Sequence, residues 1–146
     1  MGAFTFSLEQ VLRYRKQLEE QAMQAVAQAV RDRDNRLREK EELEAQLDQY
    51  RQKLASPALL DADERWLITG YVSALVYDIE SAKHDLAVLE ERVDRTRTAL
   101  IQKAQDKKLL ERLKEKQANR HRLAENHKEQ QNYDDIATIR FMPPAV

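Results

Sequence analysis

Residues 68–100, ITGYVSALVYDIESAKHDLAVLEERVDRTRTAL, decide the fold. Apolar or small side chains recur along this stretch at alternating steps of four and three positions, a spacing that keeps them on one face of an α-helix. We call this face the seam of the helix. Its residues are Ile68, Val72, Leu75, Ile79, Ala82, Leu86, Leu89, Val93, Thr96 and Leu100. A narrow apolar stripe on a long, otherwise polar helix needs a second helix to cover it. The stretch therefore predicts one half of a coiled coil.

The covering helix is predicted upstream, in the first third of the chain. Ser7 can cap free backbone amides with Gln10 reaching back, and Phe6 and Val11 are placed to pack as a hydrophobic staple. Beyond this start signal, apolar and small residues follow one helix face, and they thin out over residues 31–42. The stripe consists of Leu8, Val11, Leu18, Ala22, Ala25, Ala29, Leu43, Leu47, Tyr50 and Leu54.

The break between the two helices is predicted at Ser56-Pro57, because proline removes a backbone donor and biases its predecessor away from helical angles. Asp61 or Asp63 can then cap a second helix. We therefore predict an all-α antiparallel two-helix coiled-coil hairpin, a single domain with unequal helices. The predicted segments are an N-terminal tail over 1–6, helix 1 over 7–55, a turn over 56–61, helix 2 over 62–137 and a flexible tail over 138–146. The second helix is expected to overhang the first from about residue 110.

Composition narrows the possible functions. Charged residues make up 35% of the chain, too many for a large globular core, while the periodic placement of the 42% hydrophobic residues argues against disorder. Acidic and basic residues are intermixed and number 26 and 25, so we expect no nucleic-acid binding. No apolar run approaches the roughly 18 residues of a membrane span, and the N-terminus lacks a signal peptide's features. We expect a cytoplasmic protein without direct membrane insertion.

Motifs of enzymes and metal sites are not found in the sequence. It has no cysteine, no nucleotide-binding glycine loop, no GxSxG and no HExxH. Neighbouring carboxylates such as Glu41-Glu42 are expected to be solvated on a thin hairpin, and His121 and His127 fall on different helix faces. We therefore predict no catalytic, cofactor-binding or metal-binding residues, and a protein that acts by binding partners.

Two stretches are candidate binding surfaces. Residues 107–122 contain seven Lys or Arg, two Glu and His121, which is typical either of a solvated helix face or of a docking surface for an acidic partner, an anionic membrane surface or RNA. Among these partners an acidic protein is favoured, because the run lacks the bulky aromatics that anchor in lipid or stack on bases. Near the bend, Tyr50, Trp66, Tyr71 and Tyr77 gather within a few helical turns. Either Tyr50 and Tyr71 fill the seam while Trp66 plugs the turn, or some of these rings form an exposed patch. We expect a mixture of the two.

An ordered set of short motifs runs along nearly the whole chain. It consists of Phe4-Thr5-Phe6-Ser7-Leu8, Val11-Leu12, Arg15, Tyr50-Arg51, Arg65-Trp66, Lys107-Lys108-Leu109-Leu110-Glu111, Ala124-Glu125-Asn126 and Asp134-Asp135-Ile136-Ala137. In these residues, in its unequal helices and in its length the chain resembles the FliJ family of the bacterial flagellar type III export apparatus, whose virulence-secretion relatives include the YscO proteins.

This resemblance implies a function in flagellum biogenesis, motility and chemotaxis. FliJ-like proteins look like the stalk, or gamma subunit, of rotary ATPases: the open end of the hairpin enters the hexameric export ATPase, and the half near the bend docks on the cytoplasmic domain of the export-gate membrane protein. The protein would then be peripherally associated with the inner membrane. The resemblance implies ATPase contacts at Phe4, Leu8, Arg15, Lys107, Lys108, Arg112, Lys116 and Arg120. It implies export-gate contacts at Leu43, Tyr50, Val72 and Val76.

The sequence departs from the family at the bend, and two other functions stay open. Where the family commonly shows aromatic or histidine positions, this chain has Gln46, Val72 and Lys83, with His84 one residue further on. One alternative is an escort or adaptor that binds export chaperones through exposed Trp66 or Tyr71. The other is a structural coiled coil that homodimerises, so that a second chain covers the overhang.

Overall fold

The computed structural model describes residues 2–56 and 60–141. These residues form two α-helices, α1 over Glu9–Ala55 and α2 over Ala62–Arg140, with no strand in the described ranges. The helices contain 47 and 79 residues and pack against each other in antiparallel order. The predicted all-α hairpin of unequal helices is confirmed.

The helix ends lie within a few residues of the predicted ones. α1 begins at Glu9, two positions later than predicted, because Ser7 and Leu8 form a turn in which the Glu9 amide donates to the Phe6 carbonyl at 3.1 Å. α1 ends at Ala55, just before the Ser56-Pro57 break. Half of the predicted turn, residues 57–59, lies outside the described residues.

α2 starts at the predicted cap and extends further than predicted. Asp61 Oδ1 accepts a hydrogen bond from the Glu64 amide at 2.7 Å, which satisfies one free donor of the first turn. At the other end α2 continues to Arg140 rather than 137, because no helix-breaking residue intervenes before Pro143. Residues 138–140 of the predicted flexible tail are therefore helical, and residues 142–146 lie outside the described residues.

The described residues divide into two compact units, each containing a piece of both helices. The bend unit comprises residues 20–56 and 60–101, and the open-end unit comprises residues 2–19 and 102–141. In the bend unit every predicted seam position of α2 is buried or half-buried, and Leu75 and Ile79 form a core cluster with Leu47 of α1. The apolar seam of α2 is confirmed.

Ion pairs connect the helices of the bend unit where the apolar stripe of α1 thins out. Arg36 Nη2 lies 2.9 Å from Asp85 Oδ2, and Arg92 Nη1 lies 2.9 Å from Asp32 Oδ2. Arg33 Nη1 lies 3.5 Å from Glu90 Oε1. All three pairs are partly exposed, so each adds little to the stability of the bend unit.

In the open-end unit the buried face of α1 differs from the predicted stripe. Leu12 is 1% exposed and Phe6 is 7% exposed, whereas Leu8 and Val11 are 36% and 41% exposed. The predicted stripe placed Leu8 and Val11 inside and omitted Leu12. That part of the prediction is wrong because the face of α1 that packs against α2 is shifted by one residue from the predicted stripe. The observed face includes charged residues, which a search for apolar residues does not detect.

Contacts with α2 also reach further than the predicted pairing. Glu9, at the start of α1, pairs with Lys114, and Phe4 in the preceding segment contacts His121. The predicted register placed the start of the overhang at about residue 110. In the structure α2 is in contact with α1 or the segment before it as far as His121, because Phe4 in that segment also packs against α2.

Candidate functional site

The open-end unit contains all the residues expected to face an ATPase, and three of them are engaged within the chain. Arg15 Nη1 lies 3.4 Å from Asp106 Oδ2. Lys107 Nζ donates to Glu19 Oε1 at 3.0 Å, and this hydrogen bond raises the pKa of Lys107. Phe4 lies against the His121 ring, with centroids 5.8 Å apart. These three side chains stabilise the hairpin in this unit.

The other four basic residues of this set form a separate surface. Lys108, Arg112, Lys116 and Arg120 recur every four positions, so neighbouring charges lie on one side of α2, and all four are exposed. Among the described residues none of them has a carboxylate within 4.0 Å. We call these four residues the basic stripe. Its chemistry fits an acidic protein surface, and exposed Leu8, in the turn before α1, belongs to the same unit.

The pair between Glu9 and Lys114 holds the first turn of α1 in the open-end unit. Lys114 Nζ lies 2.8 Å from Glu9 Oε2, and Glu9 also lies 4.0 Å from Arg13 Nε. Sequence reasoning missed this pair, since it treated residues 107–122 as one uniform basic run. The pair could have been predicted from the antiparallel arrangement of the helices, because this arrangement places the few acidic residues at the start of α1 beside the basic run.

The hydrogen bond from Lys114 lowers the pKa of Glu9. A lowered carboxyl pKa means that the pair stabilises the fold above the ordinary glutamate pKa of about 4, and that this stabilisation is lost as pH falls through the folded value. In a ¹³C NMR titration we expect Glu9 to titrate below the ordinary glutamate pKa. Replacing Lys114→Met should raise the Glu9 pKa toward the ordinary range. Replacing exposed Lys116→Met is the matched control, and an equal shift in both variants would contradict this pairing.

The bend unit contains the residues expected to contact an export gate, and most of them are part of the seam. Leu43, Tyr50 and Val72 are half-buried and pack against the Leu47, Leu75 and Ile79 cluster. Val76 is 38% exposed. Of the positions where the chain departs from the family, Gln46 and Lys83 are exposed and Val72 is half-buried, and neighbouring His84 is also exposed.

The aromatic residues near the bend divide between the seam and the surface. Tyr50 and Tyr71 contact each other edge to face with centroids 4.8 Å apart, and Lys53 Nζ lies 5.1 Å from the centroid of the Tyr50 ring. Trp66 and Tyr77 are 76% and 75% exposed. The expected mixture is therefore confirmed, but Trp66 does not plug the turn. Trp66 lies two positions before the seam residue Ile68. Two positions correspond to a rotation of about 200° around the helix, so the Trp66 side chain points away from the seam.

Taken together, the two units define an all-α helical hairpin whose exposed surfaces offer charge and aromatic side chains for binding other molecules. A family model described as the flagellar FliJ protein matches residues 4–145, and the chain belongs to this family. Family membership makes the protein a component of flagellar protein export. No curated protein and no solved structure matches the chain. Within residues 2–56 and 60–141, neither helix has an apolar stretch sufficient to cross a membrane.

Proposed function

We propose that the protein is the stalk-like component of the flagellar export ATPase complex, comparable to the gamma subunit of a rotary ATPase. In this function it links the hexameric export ATPase to the cytoplasmic domain of the export-gate membrane protein and promotes protein export. The proposal includes a cytoplasmic location, peripheral to the inner membrane through the export apparatus. The observation that carries it is the open-end unit, where a helix with exposed cations continues beyond its contacts with α1.

The end of α2 supports this proposal. Residues 130–141 are all exposed, and Tyr133, Ile139 and Phe141 are 71%, 71% and 85% exposed. The scattered apolar side chains of this single helix are available to a partner that surrounds it. The central opening of a ring of subunits can cover a helix on all sides. Scattered contacts of this kind are individually weak, which would let the helix change its position relative to the ring.

The basic stripe supplies the second argument. Lys108, Arg112, Lys116 and Arg120 are not needed for ion pairs within the described chain, so their charges are available to a partner. Exposed charges steer association and determine specificity more than they add affinity. We therefore propose that the basic stripe contacts acidic side chains of the ATPase ring, with Phe4, Leu8, Arg15 and Lys107 shaping the hairpin beside it.

The test is ATP hydrolysis and ring assembly by the cognate export ATPase, measured with and without the full-length protein. We expect the protein to increase both. The double variant Arg112→Glu/Lys116→Glu should reduce this increase about tenfold at low salt, because it reverses the central charges of the basic stripe. Arg95→Glu/Arg97→Glu, two exposed positions in the bend unit, is the control with the same change in net charge. No increase with the wild-type protein would refute the stalk function.

Docking on the export gate is proposed for the bend unit. Val76 is the one residue of the expected set whose side chain is exposed, so it would contact the gate directly. Leu43, Tyr50 and Val72 would act by maintaining the seam beneath that surface. Exposed Trp66 and Tyr77 also favour a second candidate function, in which the protein escorts export chaperones.

A further inference from the structure

An apolar groove lies on the outer face of α2 in the bend unit. It has a volume of about 530 Å³ and its lining includes Trp66, Leu67, Gly70, Tyr71 and Ala74. We call it the aromatic groove. Counted around the helix, Gly70 lies about 160–200° from the seam residues Ile68, Val72 and Ile79, so the groove is on the side of α2 that faces away from α1.

The side chains that form the walls of the aromatic groove are apolar and largely exposed. Trp66 is 76% exposed, Leu67 is 63% exposed and Tyr71 is 48% exposed. Tyr77, two turns beyond Gly70 on the same face, is 75% exposed. Single exposed apolar residues are ordinary, but a contiguous group with two large rings is typical of a protein-binding surface.

The floor of the groove contains a glycine that the packing of the described chain does not require. A methyl group added at the Gly70 Cα would meet no heavy atom within 4 Å among the described residues. Its φ is not positive either, so alanine would fit the backbone. Glycine within a helix costs about 1 kcal/mol relative to alanine. Together with Ala74 it leaves a flat floor on which a second helix can lie close to α2.

The charged residues around the aromatic groove are mostly acidic, which favours a basic partner. From Asp61 to Ala82, α2 and its cap contain Asp61, Asp63, Glu64, Asp78 and Glu80 but only one basic residue, Arg65. Asp63 lies two turns before Gly70 on the same face, and Asp78 lies about two turns after Gly70 on the flank of α2, about 80° around the helix. Both are exposed. A second copy packed groove to groove would bring like charges together, and an anionic surface would be repelled.

We propose that the aromatic groove binds a basic amphipathic helix of a partner protein. Apolar side chains of that helix lie across Gly70 between Trp66 and Tyr71, and its lysines or arginines meet Asp63 and Asp78. This is the helix-in-groove mode of recognition, in which apolar anchors recur at helical spacing. The inference goes beyond the stalk function and does not depend on contact with an ATPase.

Trp66 is the only tryptophan of the chain, so its fluorescence reports on the groove directly. The probe is a tryptophan-free amphipathic peptide of about 18 residues, roughly five helical turns, with leucine on one face and lysine on the other. We expect a saturable blue shift of Trp66 emission that weakens with added salt. A matched peptide with glutamate in place of lysine should bind at least about tenfold more weakly.

Two variants at one position test the geometry of the site. Gly70→Leu fills the floor and should abolish the fluorescence shift. Gly70→Ala has open space for its methyl group and should retain binding within a few-fold, with circular dichroism confirming that both variants remain helical. Binding that is unchanged by Gly70→Leu would overturn the proposal.

Three other outcomes would also overturn it. Equal binding of the lysine and glutamate peptides would remove the argument from charge. A Trp66 shift that needs only higher protein concentration, with dimers in sedimentation, would assign the groove to a second copy. A shift caused by phosphatidylcholine vesicles but not by the lysine peptide would assign it to a lipid surface.

Discussion

Replacing Val93→Asp is expected to unfold most of the bend unit. Val93 is 0% exposed and lies in the seam of α2, where the described residues include no buried polar or charged side chain. A carboxylate there must lose its hydration without gaining a partner, or take up a proton. We expect a loss of about 3–5 kcal/mol, which is a large fraction of the stability of a small fold. Urea denaturation followed by circular dichroism at neutral pH measures it.

The matched control is Val88→Asp, the same substitution five residues earlier on α2. Val88 is 51% exposed, so a carboxylate at this position stays hydrated. We expect a change of less than about 0.5 kcal/mol. If the two variants lost similar stability, the seam in this part of the bend unit would not be formed as described.

The seam of α2 was predictable because nearly all its members in the bend unit are apolar or small. Steps of four and three from Ile68 to Leu100 contain no charged residue, so hydrophobic periodicity alone identifies the face. The two helix ends at the bend were also predictable, since Asp61 caps α2 and a Ser-Pro pair in the sequence follows the end of α1.

The seam of α1 was not predictable in the same way, because charged residues occupy several of its positions. Steps of three and four starting at Leu12 reach residues that are all buried or half-buried, and five of them are charged. These five are Arg15, Glu19, Arg33, Arg36 and Lys40. Long side chains can cover apolar surface with their stems while the charged ends form ion pairs. A search for apolar residues alone skips them and moves to Leu8 and Val11.

Which residues belong to the candidate binding surfaces also depends on how α1 is aligned against α2. Nothing local distinguishes Lys107 and Lys114, which pair with Glu19 and Glu9, from exposed Lys108 and Lys116. The difference arises only when α1 is placed against α2. Likewise, the expected export-gate residues Leu43, Tyr50 and Val72 follow the apolar seam, so sequence similarity alone does not separate a binding role from a packing role.

Leu12→Ala discriminates between the observed face of α1 and the stripe suggested by its apolar residues. Leu12 is 1% exposed, and truncating it removes buried methyl groups and leaves a partly filled space beside α2. We expect a loss of about 2–3 kcal/mol in the free energy of unfolding, at the lower end for a buried leucine because the helices of a thin hairpin can close part of the space.

Leu8→Ala is the matched control. It removes the same atoms from a side chain that is 36% exposed, and should cost less than about 1 kcal/mol. Urea denaturation, together with amide exchange of residues 9–19, measures both. If Leu8→Ala cost as much as Leu12→Ala, α1 would instead pack through the face that the apolar pattern predicts, and the pairs of Arg15 and Glu19 with α2 would have to be abandoned.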